Sequence, residues 1–287
     1  MGFEIDQYVE DLKKIRAIID AGEKDSAPAE IMAELKRLES DTEYERLCFE
    51  AAEPSINRSG LPPKLRNIEL NDLVETDGNR DAFAAAKQFV KKSHELLQQG
   101  RGLFLTGPAG CGKSALAAVM LKEVVRHNTQ AERLTYRPAR MVEYDQITKE
   151  PYLSKEWHLS SKRANNSFTE TIHARFIQTA KWLKSLRDAM NAPLDPEATK
   201  YDAGCYLHES TKLVVLDDVG TEYPTDWARE QIYLLIDDLY TAQISIIGTS
   251  NLSLNKLRDV IGERAADRLS EMCAVRVMTN PSWRQKS

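Results

Sequence analysis

The sequence predicts an α/β protein in which a parallel sheet lies between helices, preceded by a small all-α domain. Three observations carry that expectation. A short apolar segment at 103–106 leads into Gly107-Pro108-Ala109-Gly110-Cys111-Gly112-Lys113-Ser114, and a helical pattern follows at once. A second apolar segment, 213–216, runs straight into Asp217 and Asp218. From Pro63 onward helical patterns alternate with short apolar runs. Strands covered by helices on both faces read in that way.

Composition sets the outer bounds. The chain has 287 residues, 42% apolar and 29% charged, which excludes collagen-like and largely disordered classes. At about 100–200 residues per domain, one large domain with an appendage is expected. No apolar run approaches the roughly 18 residues of a membrane span, so no membrane association is expected. The start, Met-Gly-Phe-Glu-Ile-Asp, is acidic and unlike a signal peptide. Cys48, Cys111, Cys205 and Cys273 lie far apart with no C-x-x-C pair. Reduced thiols and a cytoplasmic location are the reading.

Residues 1–60 form the first expected domain. Ile5, Tyr8, Val9, Leu12, Ile15 and Ile19 recur at helical spacing. Ile31, Met32, Leu35 and Leu38 form a second stripe behind Ser26 and Pro28, and Tyr44, Leu47 and Cys48 a third. This front end carries 15 acidic and 8 basic side chains. Such a balance repels a nucleic-acid backbone and suits a protein partner. The turn-forming stretch 53–63 marks the expected boundary with a second domain, 61–287.

Within that second domain the pattern predicts helices at 82–97, 114–127 and 227–240. Strands are expected at 103–106, 213–216, 244–247 and 275–278. Two middle segments, 134–147 and 175–190, each read as a strand running into a helix, with an insertion expected within 134–174. Residues 133–181 hold nine Lys or Arg against five Asp or Glu, interleaved with Tyr136, Tyr144, Tyr152, Trp157 and Phe168. Charge for a backbone and rings for bases could serve single-stranded nucleic acid; a solvated surface insertion reads equally well.

The segment Gly107 to Ser114 fits the phosphate-loop pattern G-x-x-x-x-G-K-[ST] between a strand and a helix. Glycines let backbone N–H groups wrap round phosphates, and the helix start adds partial positive charge. Lys113 can reach the β- and γ-phosphates of ATP, and the Ser114 hydroxyl can ligate Mg²⁺. Two carboxylates ending a buried strand are costly unless they face a cation or a polar site. Asp217 is therefore expected in the Mg²⁺ shell, and Asp218 beside the attacking water. Asn251, at the end of the 244–247 strand, lies where open α/β sheets bind ligands. Arg264 and Arg268, four apart, share a helical face. An arginine offered to a neighbour's γ-phosphate raises rate by about 10³–10⁵.

Together the phosphate loop, Leu-Val-Val-Leu-Asp-Asp-Val-Gly, Gly-Thr-Ser-Asn-Leu-Ser, Glu-Arg-Ala-Ala-Asp-Arg-Leu and Ser-Trp-Arg resemble AAA+ ATPases. Their order is most similar to the DnaC/IstB-like group, over about residues 61–287. That resemblance implies a P-loop AAA+ core without a C-terminal lid domain. It implies Asn251 as sensor 1, Arg268 or else Arg264 as arginine finger, and Arg284 in the role of sensor 2. Many AAA+ proteins have Glu where this chain has Asp218, and the shorter arm implies slow hydrolysis.

The function this implies is an ATPase that loads a hexameric replicative DNA helicase. Residues 1–60 would grip the helicase, and an ATP-dependent homo-oligomer would engage single-stranded DNA. The alternative is a transposition helper ATPase that assembles on duplex DNA and recruits a transposase. A small-molecule P-loop kinase fits the paired arginines and Asn251 poorly. A GTPase lacks its guanine-reading motif, because Asn255-Lys256-Leu257-Arg258-Asp259 sets the Asp one place too far.

Overall fold

A computed structural model of the chain describes residues 28–38, 41–130, 134–144, 151–163, 170–191, 210–221 and 225–282. The expected helix over 5–19 and Arg284 lie outside these. The chain divides into two compact units, residues 1–50 with 130–169 and residues 51–129 with 170–287.

In the first unit, α1 (Ala29–Leu38) and the start of α2 (Asp41–Arg58) are helical, as the apolar spacing predicts. The same unit contains an antiparallel ribbon, β2 (Leu134–Tyr144) with β3 (Pro151–Arg163), which follow β1 (Gly102–Thr106) of the second unit in the chain. This corrects the expectation of a strand running into a helix at 134–147. The register shifts between Arg140 and Val142. Between these pairs β3 carries two residues more than β2, so its period-2 alternation is interrupted and the partner that extends β2 past Arg140 does not read as a strand. Helix α1 packs against both strands of the ribbon.

The second unit begins inside α2. The turn-rich stretch predicted a break at 53–63, yet the helix continues through Pro54 to Arg58. Burial overrides local preference here. Ala52 and Ile56 are fully buried, and Ser55 Oγ donates to the Ile172 carbonyl at 2.8 Å. The chain turns only at Gly60, φ +84°. After α3 (Pro63–Arg66) and a 3₁₀ turn at Leu70–Asp72, the expected helix at 82–97 is two helices. They are α4 (Arg80–Lys91) and α5 (Ser93–Gln98), parted where Lys92 leaves helical geometry.

Five strands follow the expected positions: β1 (Gly102–Thr106), β4 (His173–Gln178), β5 (Thr211–Asp217), β6 (Ser245–Ser250) and β7 (Cys273–Val277). They pair in the order β4-β5-β6-β1-β7, all parallel. Alternate residues serve two cores. Leu103, Leu105, Leu213, Val215 and Ile247 pack beneath α6 (Lys113–His127), α4 and α5. Phe104, Val214, Leu216 and Ile246 pack on the opposite side. There they meet α7 (Thr179–Asn191), α8 (Asp226–Thr241), α9 (Leu254–Ile261) and α10 (Glu263–Met272). Covering both faces explains the unbroken apolar runs that predicted these strands. Cys48, Cys111 and Cys273 are free thiols, and burial pushes that of Cys273 up to about 12. Among the described residues no helix is long and apolar enough to cross a membrane.

Candidate nucleotide-binding site

Four adjacent strands deliver their C-terminal ends to one rim. β1 runs into the glycine loop, β5 ends at Asp217, β6 at Ser250 just before Asn251, and β7 at Val277 just before Met278. A cavity of about 480 Å³ opens there. Residues 109–115 of the loop and helix start, with Asp218 and Asn251, line one side. Leu65, Ile68, Asp72, Leu73, Val74, Asn79, Phe83 and Met278 complete the lining.

The loop's glycines answer to geometry. Gly110 holds φ +82°, and a Cβ there would lie 2.1 Å from Ser282 Oγ. A Cβ on Gly107 would lie 2.1 Å from the Met278 carbonyl oxygen. The segment after β7 is thus folded over the loop. Asn280 Nδ2 donates to the Cys111 carbonyl at 2.9 Å, and the Met278 N–H to the Thr106 carbonyl at 2.7 Å. Helix α6 then starts behind Gly112 with no side-chain cap. Its first N–H groups have no intrahelical acceptor and suit an anion.

Lys113 is only 4% exposed. Its ammonium donates to the carbonyls of Gly107 and Pro108, both at 2.9 Å, and to Asn251 Oδ1 at 2.8 Å. Those three oxygens occupy the donors that phosphate oxygens would take, in bonds strengthened by charge on both partners. The structure therefore brings together two residues 138 positions apart that the sequence singled out separately.

Asp217 is 2% exposed, and its Oδ1 accepts from Thr249 Oγ1 at 2.8 Å. The same hydroxyl accepts from the Asp218 N–H at 2.9 Å. Thr249 fixes both acidic residues, a role that sequence reading missed; its signal is a buried hydroxyl at the end of a strand beside the acidic one. Asp218 lines the cavity with φ +57°. For a residue with a Cβ this is a strained left-handed conformation, of the kind that collects at functional sites. Ser114 lines the cavity, and Asp217 is not among its lining residues. Among the described residues no three His, Cys, Asp or Glu cluster as a metal cage. Ser114 and Asp217 suit Mg²⁺, which is held by few protein ligands with phosphate and water completing its shell.

The two finger candidates have different surroundings within the chain. Arg268, the first choice as a finger, is engaged by its own chain. It pairs with Asp237 of α8, and its guanidinium lies 5.0 Å above the Tyr233 ring and 5.3 Å above that of Tyr240. Arg264, one turn earlier, is exposed. Neither lines the cavity of its own chain. The last described residue is Ser282, against Gly110, two positions before Arg284.

Sheet order, phosphate loop and acidic strand define the class: this is the AAA+ P-loop fold. Among solved structures the chain is similar to the DnaC helicase loader, with a TM-score of 0.52 and 21% identity over 76% of this chain and 99% of that one. It is also similar to replication initiator DnaA bound to AMPPCP and single-stranded DNA, with a TM-score of 0.50 and 16% identity. That match covers 77% of this chain and 51% of DnaA. No family model and no curated protein matches the sequence.

Proposed function

We propose that this chain is an ATPase that loads a hexameric replicative DNA helicase. The observation that carries the reading is the bond between Lys113 and Asn251 inside the cavity. A phosphate-loop ammonium held by the end of the neighbouring strand can report whether a γ-phosphate is present. Similarity in fold to the solved chain of the DnaC loader, over 99% of that chain, supports the choice of system.

In this reading Lys113 and the loop N–H groups hold the phosphates of ATP. Ser114 and Asp217 hold Mg²⁺, which supplies charge neutralisation at the phosphates. Asp218 orients the attacking water. An exposed Arg264 reaches the next subunit's γ-phosphate, since Arg268 is engaged by Asp237, Tyr233 and Tyr240. Arg284, two positions after Ser282 in the sequence, acts in cis in this reading. ATP thereby assembles a homo-oligomer on single-stranded DNA, and slow hydrolysis releases it. The N-terminal helices bind the helicase.

The test is a pull-down of the purified replicative helicase from the same source, with ATP, by the full chain and by a chain lacking residues 1–40. Removing all sixty residues would take away Ala52 and Ile56 from the ATPase core. Binding that disappears with residues 1–40 supports the loader. A full chain that ignores the helicase but coats duplex DNA with ATP is a transposition helper instead.

A further inference from the structure

One cluster of charge in the ATPase unit has no part in phosphate chemistry. Lys122, on α6, is 1% exposed, deeper than Lys113 itself. Its ammonium donates to the Arg66 carbonyl at 3.0 Å, the Ile68 carbonyl at 2.5 Å and Glu69 Oε1 at 2.8 Å. All three donors are therefore used, and all on one short segment. Arg126, one turn further along α6, donates to Glu69 Oε2 at 2.9 Å and Oε1 at 3.3 Å. It also donates to Glu123 Oε1 at 2.9 Å and to Glu53 Oε1 at 3.1 Å. Burial alone would push the Glu69 carboxyl up, but Arg126 and Lys122 outweigh it and hold it below the usual range.

The segment so fastened is the outer wall of the cavity. Leu65, Ile68, Asp72, Leu73 and Val74 line it. Apolar side chains do not bind phosphate and the Asp72 carboxylate repels it, so this wall suits the base and sugar of a nucleotide. A buried ammonium is expensive to keep unless it fixes something. Here it fixes the wall to the same rigid helix that begins at Lys113. Glu53 belongs to α2, whose earlier residues lie in the other unit.

We propose that Glu69, clamped by Lys122 and Arg126, is a positioning residue for the base side of the nucleotide, and that the Arg126–Glu53 bond couples this wall to α2. The proposal rests on the reading of the cavity as a nucleotide site. A change in α2 on partner binding alters nucleotide affinity, and nucleotide alters partner affinity by the same factor.

Two probes test it on the full chain: a fluorescent ATP analogue and inorganic tripolyphosphate, titrated in Mg²⁺ with melting temperatures recorded. Glu69→Ala is expected to weaken the ATP analogue about tenfold, on the scale of a lost charged hydrogen bond. Tripolyphosphate affinity stays within about twofold, because only the wall has moved. Glu69→Gln, which keeps acceptor oxygen, recovers part of the loss. Glu53→Gln weakens the analogue by about threefold, and that effect vanishes in the Glu69→Ala background, as coupled sites require. Equal losses for both probes, or an unchanged analogue affinity in a folded Glu69→Ala protein, overturn the proposal. A wild-type chain that binds tripolyphosphate and the analogue equally overturns it too. Failure of the wild type to bind either one refutes the nucleotide reading itself.

Discussion

The two sides of one cavity are built by different means. The phosphate side is eight consecutive residues between a strand and a helix, shaped by backbone torsions and completed by Asp218 and Asn251 from the adjoining strands. The outer wall is a loop with little regular structure, held by Lys122 and Arg126 of a helix more than fifty residues away. Backbone geometry gives the first side its shape, and ionic side-chain contacts give the second its position. Local substitutions should therefore be drastic on one side and graded on the other.

The largest expected effect concerns a residue outside both sides. Arg264→Ala should lower ATP turnover of the assembled protein by about 10³ while leaving nucleotide affinity unchanged. Arg268→Ala should instead lower the melting temperature through loss of the Asp237 pair and two ring contacts, each worth about 0.5–1 kcal/mol. Steady-state turnover and thermal melts on the two variants separate these outcomes. If turnover falls only in Arg268→Ala, the ion pair with Asp237 opens on assembly and Arg268 is the finger.

Next in size, Lys113→Ala should weaken tripolyphosphate and ATP alike, by about 100-fold. That is the reverse of the selective loss expected at Glu69, and equilibrium titration shows it directly. Asn251→Ala should reduce turnover about tenfold with little change in binding, because Lys113 keeps its two loop carbonyls. A larger loss in binding than in turnover would move Asn251 to a structural role.

The smallest effect is one of pH. The Glu69 carboxyl titrates below its ordinary value of 4.5 in the folded chain. A depressed carboxylate stabilises the fold fully above its unfolded value, and that contribution is lost as pH falls through the folded one. Wall fixation should therefore hold from neutral pH down to about 4.5 and fade below it. Thermal melts of wild type and Glu69→Gln across that range should converge at low pH. Parallel curves would assign the acid sensitivity to other carboxylates.

The two sides also differ in how far sequence reveals them. The phosphate loop, Asp217 and the strand ends are legible because spacing and strand context repeat along the chain. Lys122 hides in Ala-Leu-Ala-Ala-Val-Met-Leu-Lys-Glu-Val-Val, where a charge amid buried positions signals a partner without saying which. Glu69 and Glu53 stand more than fifty residues from Lys122 and Arg126, so only the folded chain pairs them. The same holds for α2. Its turn formers spell a boundary, but Ala52 and Ile56 find a core that local sequence does not show. In the ribbon a single bulge was enough to hide the second strand.

The central claim is that this cavity binds ATP through Lys113. Calorimetric titration of the full chain and Lys113→Ala with ATP and Mg²⁺ tests it most directly. Saturable binding at one nucleotide per chain, weakened about 100-fold by the substitution, is expected. Equal binding by both proteins, or none by either, would contradict it.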